Sequence, residues 1–312
     1  MPLPLLPRNI EDPTGQDSRE RRAMADFKKR LEAIKRKALA LLNDNKPEII
    51  IINAEKFTQR TYTFNLTDME IDDIVAELQA FIDEQLMEGG KQNLWFMNQY
   101  VKPAYQQGTG MAQVNLATQS GQYALARPDL TSILISPEYA RRVGNVRARE
   151  FEEMSGFTAQ VKADLSRILS RGMMEGLNPL DISKQITDQT GIEVGRANRI
   201  ARTEITTALR RARLDEAESA QVSLGILTMV MHLSALSATT RASHAARHAQ
   251  LYTIEQERIW MATAPNMINC KCSMVEVLVN EQGQPLTPKI ISKAQAMIPA
   301  YAERVKAKEE GA

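Results

Sequence analysis

The chain has 312 residues, with 39 Lys+Arg against 38 Asp+Glu. That balance excludes a globally basic surface that clings to nucleic acid, while leaving room for a local patch. The only two cysteines, Cys270 and Cys272, exclude a secreted disulfide framework and point to synthesis in a reducing cytosol.

Two domains are the default for this length, and a chain this long needs no staples to bury a core. Aromatics make up 5% of the residues, and Ala, Leu, Met and Arg are plentiful, a helix-forming composition. The start, Met1 to Pro7, lacks the basic region and apolar run of a signal peptide. No run of apolar residues is long enough to span a membrane.

Residues 1–16 hold Pro2, Pro4, Pro7 and Pro13 and read as a disordered tail that a partner would order. From Ser18 to Leu42 the pattern is helical: Phe27, Leu31, Ile34, Ala38, Leu41 and Leu42 recur at spacings of three and four. Its other faces are basic, with Arg19, Arg21, Arg22, Lys28, Lys29 and Arg30 prominent. Such a run either touches DNA phosphates or is the solvated face of a helix that docks on a partner. Glu48–Asn53 and Thr61–Asn65 predict a small pair of strands. Thr67-Asp-Met-Glu70 is a capping box, opening a helix through Ile71, Ile74, Val75, Leu78 and Phe81 to about Met87.

Residues 91–126 predict one or two helices interrupted near Gly108 and Gly110, and Pro128–Ser136 a connector. Helix resumes at Ser136-Pro137-Glu138 and continues to about Glu175. A short helix from Leu180 through Ile186 and a long one from Val194 to Glu218 follow. Leu224–Leu233 and the Val275, Val277, Val279 stretch have strand character, and residues 286–309 return to helix with Pro299 as kink or boundary. The predicted fold class is α+β, mainly α. A helical N-terminal region (17–160) precedes a compact α+β domain (161–282) and a C-terminal helix (283–312).

The sharpest chemical constellation is His244-x-x-x-His248 with Cys270-x-Cys272. Histidines at i and i+4 share a helix face, and two imidazoles with two thiolates make a tetrahedral zinc set. Four protein ligands would leave no open position, so the metal would be structural. The competing reading makes His244 a hydrogen-bonded interior residue and the cysteines small buried hydrophobes. Glu204, Thr239 and Arg241 either handle phosphate or form a polar network locking a helix to the domain. His232 reads as a core residue.

Several blocks in the second half occur in a recognisable order: Leu169–Pro179, then Ile-Ala-Arg202-Thr203-Glu204, then Thr239-Thr240-Arg241 followed by His244. Trp260, Pro265 and Asn269-Cys270-Lys271-Cys272 come next. Together they resemble the phage Mu F-like head morphogenesis family of minor capsid proteins. Two departures stand out: Ser237-Ala238 occupy the place of a family Asp, and Arg247-His248-Ala249 that of a family Gly. The resemblance implies a non-enzymatic protein made in the host cytoplasm and built into the virion, inside the capsid near the portal vertex. Portal and other head proteins would be its partners, with non-specific contact to packaged DNA and no membrane in the assembled head. Two alternatives remain: an enzyme acting on nucleic acid or nucleotides through a Glu204/Arg241/His244 cleft, and a DNA-ejection protein. Exposure of those three side chains in one shared cleft would favour the enzyme.

Overall fold

A computed structural model describes residues 2–54 and 57–310. In chain order the elements are α1 (Asp17–Asp44), β1 (Glu48–Ala54), β2 (Phe57–Thr63), α2 (Asp68–Leu86), α3 (Gly90–Asn93), a π-turn (Met97–Val101), α4 (Lys102–Gln119), α5 (Gly121–Ala126) and α6 (Leu130–Leu134). There follow α7 (Pro137–Met174), α8 (Pro179–Leu224), β3 (Thr228–Leu233), α9 (Ala242–Ala246), β4 (Leu251–Tyr252), α10 (Ile254–Ala262), β5 (Ser273–Leu278), α11 (Lys289–Gln295) and α12 (Ile298–Glu310). The chain is mainly helical with two small antiparallel sheets, the α+β class expected.

Two compact units interleave along the chain. One comprises Met1–Arg21, Asn98–Val146 and Ala201–Ala312; the other comprises Arg22–Met97 and Arg147–Ile200. Helices α1, α7 and α8 contribute residues to both.

In the second unit the predicted stripe of α1 is buried from Phe27 to Leu42. Phe27 stacks edge-on against Trp95 at 4.9 Å and Phe157 at 6.0 Å between ring centres. The Thr67–Glu70 capping box is formed in both directions: Glu70 N donates to Thr67 Oγ1 at 3.3 Å, and Thr67 N donates to Glu70 Oε2 at 2.8 Å. Met154, Phe157, Val161, Leu165, Leu169 and Met173 line the buried face of α7 at spacings of three and four. Gly176 ends that helix with φ 64°, and a Cβ there would lie 2.3 Å from the Tyr62 carbonyl oxygen. Only glycine meets both conditions. The β1–β2 hairpin exposes Ile49, Ile50, Ile51 and Ile52, each more than half accessible.

In the first unit the sheet has the order β4-β3-β5, with Met229 opposite Val277 and Met231 opposite Val275. One cluster joins Met231, Leu233, Val275, Val277, Ile290 and Ala294. A second joins Leu214, Ala217, Val230, Ile254, Met261, Cys270, Cys272 and Met274, with Trp260 packed against it.

Four segments differ from the sequence expectation. Helix α4 runs unbroken through Gly108 and Gly110. Gly108 is there for space, since a Cβ would lie 2.3 Å from the Leu209 carbonyl oxygen of α8. Helix α8 is one element of 46 residues, not a short helix and a long one. The expected connector holds the short helix α6, capped by Asp129. The final segment is two helices and not one, with the break at the expected Pro299 boundary: Pro299 sits in the first turn of α12, where its missing N–H costs nothing.

Residues 2–16, expected as a tail, are placed by packing: Leu3 and Leu6 lie against the cluster around Met231. The Asp12 carboxylate then accepts from Thr14 Oγ1 at 2.7 Å and Asp17 N at 3.0 Å, closing a turn before α1.

Candidate metal centre

The site grows from a turn, a one-turn helix and the end of α8. Asn269 takes φ 52°, a left-handed conformation that Asn tolerates better than most residues. Its N–H donates to Thr203 Oγ1 at 3.1 Å, which fastens the turn to α8. The buried guanidinium of Arg210 lies under the turn, with Nη1 donating to the carbonyls of Cys270 at 2.7 Å and Cys272 at 3.3 Å. Arg241 closes it from the other side, donating to the carbonyls of Pro265 at 2.7 Å, Asn266 at 2.9 Å and Ile268 at 3.3 Å. Arg241 also begins α9, whose His244 N–H bonds the Arg241 carbonyl at 2.9 Å. That one turn brings the His244 ring to the cysteines.

His244 Nδ1 lies 3.3 Å from Cys272 Sγ and 3.4 Å from Cys270 Sγ. All three residues are 2% exposed. Their ligand atoms lie within 4.8 Å of one another and form a candidate metal cluster. The Cys272 thiol donating to Cys270, helped by the nearby Arg210 charge and His244, pushes Cys270 well below the ordinary thiol value. The same contact, with burial, pushes Cys272 up. Trp260 packs edge-on against the His244 ring at 4.7 Å between centres.

The structure assembles three of the four expected ligands, and the four-ligand zinc set is corrected accordingly. His248 is buried apart from them: Ser234 N donates to its Nδ1 at 3.2 Å, and its Nε2 faces the Ala294 carbonyl at 2.9 Å. Two residues in helical register did not share a partner because α9 ends at Ala246. Glu204 is buried at 4% exposure and does not line the cleft formed by Arg202, Arg241 and His244. The shared exposed cleft that would favour an enzyme therefore lacks its carboxylate. Thr240 Oγ1 accepts from Ser237 N at 3.0 Å and shapes the loop before α9.

His232 is a core residue as expected, its Nδ1 2.6 Å from Glu257 Oε1. The other Glu257 oxygen accepts from Arg247 at 2.7 Å, and Arg247 stacks on Tyr252 and Trp260 at 3.5 and 4.3 Å. Ala249 adopts φ 61°, a left-handed conformation that an L side chain rarely takes. Of the basic residues on α1, Arg30 stacks on Trp95 at 4.0 Å and donates to the Gln85 carbonyl. Arg19 donates to Gln107 at 3.0 Å, while Arg21, Arg22, Lys28 and Lys29 are exposed.

Sequence reasoning missed Arg210, Ser234 and Glu257. Each is an unremarkable residue in sequence whose role depends on a partner 10 to 62 positions away.

No curated protein and no solved structure matches the chain. Residues 163–275, a segment that contains the whole cluster, match the family model described as Phage Mu protein F like protein.

Proposed function

We propose that this protein is a non-enzymatic minor component of a phage head, built into the procapsid interior near the portal vertex. It is made in the host cytoplasm and contacts the portal and other head proteins, assisting assembly or genome packaging and delivery. The observation that carries this reading is the family match over 163–275. Two features support it. The β1–β2 hairpin presents four exposed isoleucines in a row, and exposed apolar patches mark protein contacts. The exposed Arg21, Arg22, Lys28 and Lys29 suit sequence-independent contact with packaged DNA. Among the described residues no helix is long and apolar enough to cross a membrane.

Within that role the His244–Cys270–Cys272 cluster holds zinc. With Zn–N about 2.0 Å and Zn–S about 2.3 Å, a tetrahedral site separates N from S by about 3.5 Å. The observed 3.3 and 3.4 Å fit that edge. The metal ties α9 to the turn before β5.

The test is quantitative mass spectrometry of purified procapsids from the encoding phage. Low-copy incorporation is expected, lost when Ile50 and Ile51 are replaced by threonine in otherwise folded protein. Absence of the chain from both procapsids and virions would overturn the reading.

A further inference from the structure

The zinc-binding residues open onto a cleft of about 470 Å3, lined by Arg202, Arg241 and Lys271 and by no carboxylate. We infer that this is an open metal site. Zinc held by His244, Cys270 and Cys272 keeps its fourth position toward the cleft, where it takes a phosphate-type oxyanion. The inference rests on the zinc reading above and adds to it the ligand class.

Three observations lead there. Among the described residues no fourth His, Cys, Asp or Glu joins the cluster. His248, the one candidate in helical register, has both ring nitrogens engaged elsewhere. A zinc ion with three protein ligands completes its shell from solvent or from a ligand, whereas a structural site is closed by the protein.

The second observation is charge. Zinc with two thiolates and a neutral imidazole carries no net charge, so the cleft's own cations decide what enters. Arg241 is held by three carbonyl oxygens, which orient it without cancelling its charge. Arg202 is exposed, and its charge reaches the Glu20 carboxylate. Lys271 is paired with Asp17, and Glu20 lies close enough to feel both Lys271 and Arg202. These carboxylates flank the cleft without lining it. Arg202 can offer its guanidinium fork to a tetrahedral oxyanion beside a neutral metal, while Arg241, with Nη1 and Nη2 engaged by carbonyls, adds charge.

The third observation is the hydroxyl rim. Ser237 Oγ lies 3.2 Å from both Thr239 Oγ1 and Thr240 Oγ1, giving a set of rotatable donors at the edge of the same cleft. Binding exchanges a water on the metal for a phosphate oxygen, with no bond broken in the ligand. The ligand is inorganic phosphate or the terminal phosphate of a nucleic-acid strand, which share this chemistry.

The experiment uses the full chain loaded with cobalt in place of zinc, read by visible absorption. One cobalt per chain with thiolate charge-transfer bands is expected, and His248→Gln leaves the spectrum unchanged. Titration with inorganic phosphate, or with a 5′-phosphorylated oligonucleotide, shifts the ligand-field bands saturably. Response to both assigns the site to phosphate in general, and response to the 5′-phosphorylated oligonucleotide but not its unphosphorylated twin assigns it to strand ends. Arg202→Ala weakens the shift about tenfold, the loss of one charge-assisted contact, without altering the starting spectrum. Bands that form but stay unmoved by either ligand overturn the open site and leave the zinc reading standing. A spectrum altered by His248→Gln also overturns it, by showing a closed four-ligand site. Failure to bind cobalt or zinc at all overturns both.

Discussion

Arg213 and Glu276 meet inside the protein in a two-pronged ion pair, Nε to Oε1 at 2.8 Å and Nη2 to Oε2 at 2.6 Å, both essentially inaccessible to water. Asn115 Nδ2 adds a third donor to the same carboxylate at 3.0 Å, so α8, β5 and α4 converge on one charge. Removing the arginine strands a buried carboxylate. Arg213→Ala is expected to cost about 3–5 kcal/mol, whereas an apolar pair such as Arg213→Met with Glu276→Leu recovers most of that. Urea unfolding of the single and double variants checks this. Equal losses in both would show that packing rather than charge dominates.

Gly108 and Gly195 make opposite predictions from the same substitution. A Cβ at Gly108 would lie 2.3 Å from the Leu209 carbonyl oxygen and 2.9 Å from the Ala212 side chain. Gly108→Ala should therefore destabilise by about 1–3 kcal/mol or more, because backbone has to move. Gly195 is exposed in mid-helix with nothing near it. Gly195→Ala should stabilise by about 0.5–1 kcal/mol. Thermal melts of the two variants settle the pair.

Glu20 should make the wild-type protein less stable as the pH rises. Burial is the main cause that lifts its carboxyl from 4.5 to about 7, with Lys271 opposing and Asp17 assisting. The folded state then holds a proton that the unfolded state has lost between those two values, so stability falls across that window. The full penalty above it is on the order of 3 kcal/mol. Glu20→Gln should be more stable than wild type at pH 8, with the advantage vanishing toward pH 5. An advantage that does not change with pH would remove the argument.

His248 acts in the opposite direction. Burial, the main cause, lowers its pKa below the ordinary 6.5. Its Nδ1 accepts from Ser234 N, which a protonated ring cannot do. As the pH falls below 6.5 the unfolded chain gains a proton that the folded one resists, and stability drops until the folded ring titrates as well. Wild type should lose more stability than His248→Gln between pH 7 and pH 5 in matched denaturation curves.

What the sequence determined by itself is largely local. The α1 stripe from Phe27 to Leu42, the Thr67–Glu70 box and the valines of β5 were legible because period and capping act between residues a few positions apart. His244, Cys270 and Cys272 were legible as a chemical set because few residue types bind soft metals. The tertiary structure decided the rest. His248 left the set because α9 stops after one turn and Ser234 and Ala294 claim its ring. Gly108 looked like a helix break and proved to be a contact with Leu209. Residues 2–16 read as a tail, and Leu3 and Leu6 pack onto a cluster that exists only once β3 and β5 are paired. Arg210 and Arg213 carry no signal in the sequence, and are buried because Cys270, Cys272 and Glu276 offer them carbonyls and a carboxylate. Periodicity records which face a residue turns, whereas its partner is set by chain segments that meet only in the folded state.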